Sequence, residues 1–571
     1  MNFLTSEYLA LLKEDGELDT LLLDILNSKG IVPITKPQKG RQYGVDIAAV
    51  GKDKDGVEKL FLITVKQGNI SRSVWDSGKN SVRQSLNEIR ETYINISLTA
   101  RQKKLPKIII IATNGILEQT VQTSWAQYTE KYKEIALDFD FWGIDDISKM
   151  VSENLLSERL FNSEMRSLLK KALAFLELKD YDLNHFNKLV DLIFDKPIKT
   201  KKPLLKRLKL LQICLDIVFK WAEDNGYIKS AIKAADKAIL KSYEWLNKQN
   251  HFKKRYVYVE FYNIHLLRRK IGIAYFNKVN EHYFVEHSLQ RYSRNQIEYG
   301  LTVWEEIGLV ANIGLTEIRH YQYHLDPKNP KVAAIYEEAA MTISDALVSL
   351  INTNPPSHYP LYDDHIIDIE PAIRFLYLTG KKEECIKWLR TLIVGIHDAK
   401  VLKDFFPLFK THYENLVDYY LGNKKQDEKS SMLLTLLADW CAILNNDKAY
   451  QDLKNVPKLF ENKLNLQIWF PKAETESFYL DSGYSRKSGK VKHSITLYES
   501  LEDYRKEAIE EIELFSSEKD FSSIKIGYDY IFTITSFYNR ELPFPFFWRR
   551  FLQVGENMYP ESSERGANNL D

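Results

Sequence analysis

Asp46, Thr64 and Lys66 are the residues whose types and spacing suit chemistry. They lie in the stretch GVDIAAVGKDKDGVEKLFLITVK, from Gly44 to Lys66. Two apolar runs, Val45 to Val50 and Leu60 to Val65, flank a polar segment holding Asp55-Gly56. That dipeptide suits tight hairpin turns, so the stretch predicts an antiparallel β-hairpin. With the turn centred near Asp55, Asp46 falls opposite Thr64 or Lys66. Side chains alternate along a strand, which lets all three project to one face. An acid able to ligate a hard cation then stands beside an amine able to neutralise negative charge. The plainer reading of the same pair is a strand-end salt bridge.

The flanking chain predicts the elements that must hold this hairpin. Residues 3 to 29 read as helix, with a break near Asp15-Gly16 and Gly30 as terminator. Ile31 to Ile34 is a short strand. After the hairpin, residues 75 to 96 carry Val82, Leu86, Ile89 and Tyr93 at helical spacing. The run KIIIIAT, Lys107 to Thr113, reads as a strand buried on both faces, as in a parallel pair covered by helices. A helix over 116–135, a strand over Leu137 to Trp142 and a helix over 145–155 complete an α/β domain of residues 1–155. From residue 156 to 571 nearly every segment has helical periodicity, which predicts a large all-α, helical-repeat-like region without a constant repeat period.

The order of these elements and the residues on them resemble the PD-(D/E)xK nuclease superfamily, particularly its Mrr-like restriction endonuclease branch. The resemblance covers about residues 10–155. It rests on Asp19 in ELDTLLLDILNSKG, Asp46 in GVDI, Lys66 in FLITVKQG, Gln84 in SVRQSLNEI, the strand IIIIATNG and the closing FWGIDDI. It implies an N-terminal restriction-endonuclease-like fold and Mg²⁺- or Mn²⁺-dependent cleavage of DNA, in restriction or defence against invading DNA. Asp46 and the Val65 carbonyl would be metal ligands, with Asp19, or Glu17 in its place, holding a second metal or a metal-bound water. Lys66 would orient the attacking water or steady charge on the phosphate. Where the family has a second carboxylate, two residues before the lysine, this chain has Thr64. That departure opens the alternative of a catalytically degenerate domain that binds nucleic acid or a partner while the helical region acts as scaffold.

The 79 basic and 78 acidic residues of the 571 nearly cancel, so no global field drives the chain onto nucleic acid. Local basic runs are the candidates instead: Lys103 and Lys104 before the buried strand, and Arg486, Lys487, Lys490 and Lys492 in a glycine-containing loop or hairpin near 477–494. Three widely spaced cysteines give a reduced, cytoplasmic pattern, and no apolar run approaches the ~20 residues that cross a bilayer. A nuclease so near neutral charge needs restraint, and a homo-oligomer or a protein partner engaged through the helical region would supply it. His320 and His324 lack the glutamate of a zinc motif and read as packing residues. Asp363, Asp364 and His365 read as a helix start. Arg549 and Arg550 read as snorkelling from a core helix.

Overall fold

The computed structural model describes residues 2–553 apart from short stretches, the longest being 35–42, 155–162 and 477–488. The chain forms two compact units. The first comprises Met1–Ala234 and His251–Leu267, the second Ala235–Asn250 and Arg268–Asp571.

The first unit is built on a five-stranded mixed sheet in the order β1-β2-β3-β4-β5. These strands are Val32–Pro33, Ile47–Lys52, Glu58–Lys66, Lys107–Thr113 and Leu137–Trp142. The first three pair antiparallel, and β3-β4 and β4-β5 pair parallel. The hairpin closes at Gly56, whose φ of +76° glycine adopts without strain. Its register sets Ile47 against Ile63, so Asp46, one residue before β2, falls opposite Thr64.

Alternation along β3 gives the sheet two apolar faces. Leu60 and Leu62, with Ala48, Ile109 and Ile111, pack on Trp75, Val82, Leu86 and Ile89. Those partners come from helix α3 (Arg72–Asp76) and from the helical run α4 (Val82–Glu88), a π turn (Ile89–Tyr93) and α5 (Ile94–Ile96). Val121 and Tyr128 of α7 (Gln119–Tyr132), which follows α6 (Ala100–Lys104) in the chain, join the same core. The alternate residues Phe61, Ile63 and Val65 are buried as well. A helical pair α1 (Asn2–Leu9) and α2 (Asp19–Ser28), with α8 (Ile144–Asn154) packed on both, completes the α/β layer.

The sheet edges are short or charged. β1 has two residues, one of them Pro33. In β5 the exposed Asp138 and Asp140 accept hydrogen bonds from the amides of Phe139 (2.9 Å) and Phe141 (2.8 Å).

The unit continues beyond the sheet through α9 (Ser163–Phe175), α10 (Asn184–Ile193) and α11 (Lys201–Asn225). Helices α12 (Ile228–Lys248) and α13 (Arg255–Val279) each contribute residues to both units.

The second unit is mainly helical, as its periodicity predicts, with α14 (Gln296–Tyr323) lined by buried residues along most of its length. Gly314 on α14 sits where an added Cβ would lie 2.1 Å from the Phe375 ring, so glycine is what lets these helices close. Arg549 does not snorkel. It is fully buried, with Nε 2.7 Å from Asp439 and Nη1 2.7 Å from Glu511. Tyr504 and Trp548 donate to the same Asp439. Desolvation of so deep a charge is tolerated only because both acids and their hydrogen bonds surround it. Asp363 caps another segment: it accepts from Ser431 Oγ (2.6 Å) and the Met432 amide (2.8 Å) at the start of the helix Leu433–Ile443.

Candidate functional site

The adjoining ends of β2 and β3 bring the predicted residues together. Asp46 precedes β2, and its Oδ2 accepts from the Val65 amide (2.7 Å) and the Thr64 hydroxyl (3.4 Å). Thr64 is buried and Asp46 half-buried. Thr64 and Lys66 follow Leu60 and Leu62 on the face that packs under α4, and Lys66 retains 17 % of its side-chain exposure. It is the amide of Val65 that meets Asp46, whereas the expected metal ligand is the Val65 carbonyl.

Gly44 sets the approach to this corner. Its φ is +79°, and an added Cβ would lie 2.3 Å from the carbonyl oxygen of Ser85. Helix α4 therefore lies directly over the residues leading into Asp46. Gln84, the neighbour of Ser85, is exposed and donates through Nε2 to Glu88 at 3.3 Å.

The acid that reaches Lys66 is Glu14. Its Oε1 lies 3.8 Å from Lys66 Nζ, and its Oε2 accepts from the Gln67 amide at 3.1 Å. Glu14 begins a five-residue π turn, Glu14–Leu18, in which the Leu18 amide bonds the Lys13 carbonyl. Asp19 starts α2 instead, and its Oδ1 accepts from the amide of its neighbour Thr20 at 2.6 Å. Glu17 pairs with Lys206 on α11 and accepts from the Lys13 amide at 2.8 Å. Sequence reading passed over Glu14. The nearest signal was the break at Asp15-Gly16, where Gly16 has φ +78°.

One buried side chain ties the acid's segment to the lysine's. Asn114 donates through Nδ2 to the carbonyls of Leu9 (2.8 Å) and Leu12 (3.0 Å) and accepts from the Gly68 amide at 2.8 Å. Gln67 adds a bond from Nε2 to Leu12 (2.9 Å). Gly115 presses on Gly68 so closely that a Cβ would meet its carbonyl carbon at 2.3 Å. The turn after Lys66 is thus fixed on two sides.

The remaining candidates fall elsewhere. Lys103 and Lys104 end α6 and are exposed, and Lys103 Nζ donates to the Asn95 carbonyl at 2.6 Å. Lys490 and Lys492 lie in the strand Gly489–Lys492, which pairs antiparallel with Ile468–Pro471 in the second unit. Arg486 and Lys487 lie outside the described residues. His320 and His324 both stack on Tyr336, with ring centroids 5.3 and 5.2 Å away. Burial, reinforced by Arg269, pushes His320 down to about 3, which keeps it neutral. All three cysteines are buried, and burial raises their thiols well above the ordinary value. Among the described residues no three His, Cys, Asp or Glu side chains gather as a metal cluster, and no helix is long and apolar enough to cross a membrane.

No protein-family model, no curated protein and no solved structure matches this chain.

Proposed function

We propose that this protein is a divalent-metal-dependent nuclease that cleaves DNA phosphodiesters, with a restriction-endonuclease-like sheet carried by a helical scaffold. One observation supports the reading above the others. Asp46, Thr64 and Lys66 share a sheet face at adjoining strand ends, and a π turn brings Glu14 to Lys66. The donors near this corner are hard oxygens: the Asp46 and Glu14 carboxylates and the Thr64 hydroxyl. Mg²⁺ and Mn²⁺ suit such donors, and Mg²⁺ takes one or two carboxylates and completes its shell with water and phosphate oxygens, so the residues fit the ion. Asp46 would hold it, with the Val65 carbonyl and Glu14 as further ligands. When bound, it neutralises phosphate and lowers the pKa of an attacking water.

The chain's own groups do the rest. The Val65 amide and the Thr64 hydroxyl fix the Asp46 carboxylate, so it needs no reorganisation before the ion arrives. Lys66 places a compact positive charge where negative charge develops on the scissile phosphate. Glu14, 3.8 Å from that ammonium, limits where it can swing. Lys103, Lys104, Arg486, Lys487, Lys490 and Lys492 would hold backbone phosphates without reading bases. The setting, restriction or defence against foreign DNA, follows from the family resemblance; assembly or partner binding through the helical region would supply the restraint that a nuclease so near neutral charge needs.

Thr64 favours a second reading, a degenerate domain that binds DNA without cutting it, because the hydroxyl supplies no anionic ligand. Incubation of plasmid and single-stranded DNA with Mg²⁺ or Mn²⁺, beside Asp46→Ala and Lys66→Ala, separates the two. Cleavage by the native chain and not by the variants supports the nuclease. Equal behaviour of all three ends it, and retained DNA binding then favours the second reading.

A further inference from the structure

Glu14 and Glu17 leave one π turn toward different partners. Glu14 faces the end of β3, at Lys66 and the Gln67 amide. Glu17 pairs with Lys206, on helix α11 and 189 positions away in sequence. Three residues further along α11, the buried Lys209 pairs with Glu7 of α1 and with Glu260 of α13, the latter at 2.9 Å. Lys206 and Lys209 therefore share one face of α11, and that face fastens the whole segment from α1 to the π turn. Burial works to raise the Glu17 carboxyl, but the Lys206 hydrogen bond and the Lys13 amide outweigh it and hold it below the ordinary value.

A π turn is an uncommon, less favourable form of helix that persists where neighbours hold it. Its extra residue matters for direction. Each residue of an α-helix advances about 100°, so relaxing the turn to ordinary α register would swing Glu14 away from β3 by about that angle. We propose that Lys206 is a positioning residue for the site: through Glu17 it holds the π turn in the register that brings Glu14 to Lys66. The helical layer thereby sets the geometry at the end of the sheet, and a partner that shifts α11 acts on the site through this face, with the Lys206–Glu17 pair holding the turn itself. The functional half of this inference rests on the nuclease reading; the structural half does not.

Hydrogen–deuterium exchange on the full chain tests the structural half, because the Gln67 amide reports Glu14 and the Leu18 amide reports the π turn. Lys206→Met keeps the aliphatic stem and removes the charge, Glu17→Gln removes the opposing charge, and Lys206→Arg restores the pair. The expected result is exchange at Leu18 and Gln67 faster by about fivefold in the two neutral variants. Lys206→Arg should match the native chain, and amides at 60–64 and 108–112 should not change. Unchanged exchange at Gln67, or acceleration spread evenly through the sheet, overturns the proposal. If Lys206→Met does not fold, Glu17→Gln carries the same test. In cleavage assays the neutral variants should lose kcat with KM for DNA unchanged, and Lys206→Arg should regain it. A kcat that stays native while Gln67 exchange accelerates overturns the functional half. A native chain with no cleavage removes the nuclease reading alone, and the exchange result then decides the positioning claim.

Discussion

The amide nitrogen of Val65 lies 2.7 Å from Oδ2 of Asp46, so the strand that ends in Lys66 itself grips the carboxylate opposite. The contact ties the proposed metal site and the local structure to one side chain, and substitutions can part them.

Asp46→Asn keeps an oxygen for the Val65 amide and removes the charge. Thermal unfolding should stay within a few degrees of the native value, while Mn²⁺-supported plasmid nicking falls at least ~100-fold. Asp46→Ala should lose activity equally and cost a further ~1–2 kcal/mol, since a buried amide and a buried hydroxyl lose their acceptor. Denaturant titration of both variants checks the split.

Thr64→Glu places an acid where the nuclease pattern this segment resembles has one. Two carboxylates then share a corner where the native hydroxyl sits 3.4 Å from Asp46, and like charges at that range repel. Without divalent ion the variant should melt below the native chain. Mg²⁺ should raise its melting temperature more than the native one, by linkage of metal binding to folding. Equal Mg²⁺ shifts would show that no metal enters between these residues.

Gly44→Ala should be costly beyond its size. The backbone sits in the left-handed region, and the new methyl would strike the Ser85 carbonyl at 2.3 Å. A loss of ~2 kcal/mol or more is expected in urea titration, with cleavage reduced because the entry to Asp46 shifts.

Acid should destabilise the second unit through His320. Its folded value, about 3, lies below the unfolded ~6.5, so only the unfolded chain gains a proton as pH falls between them. The stability is therefore full above ~6.5 and declines toward 3. At pH 5 the loss is ~2 kcal/mol. His320→Phe should flatten that part of the stability–pH curve; an unchanged slope would show that other groups carry it.

Much of the framework was readable from residue order, and the reasons differ by element. Strand β4 stands where a β-branched run marks it, because burial on both faces of a parallel sheet leaves a continuous apolar signature, and β5 stands where LDFDFW alternates along a half-exposed edge. Asp55-Gly56 located the hairpin and left Asp46 opposite Thr64 or Lys66, and the register of the folded strands selects Thr64. The helix expected over 75–96 is interrupted: α3 ends at Asp76 and α4 begins at Val82, with Ser77 and Ser81 both in extended backbone. The acid partnering Lys66 was not readable. Asp19, or Glu17 in its place, is what the family resemblance implies, and a π turn has no sequence signature. Its added residue turns Glu14 toward β3 and Glu17 toward Lys206.

The edges of the sheet carry a consequence for the protein at high concentration. A strand with a vacant side invites another molecule to lay its own strand alongside, the first step toward fibrils. Here one border is two residues long and contains a proline, and along the other Asp138 and Asp140 already occupy main-chain amides and add negative charge. Copies of this chain should meet through side-chain surfaces, and Asp138→Val with Asp140→Val should be the change that makes solutions of it turn cloudy.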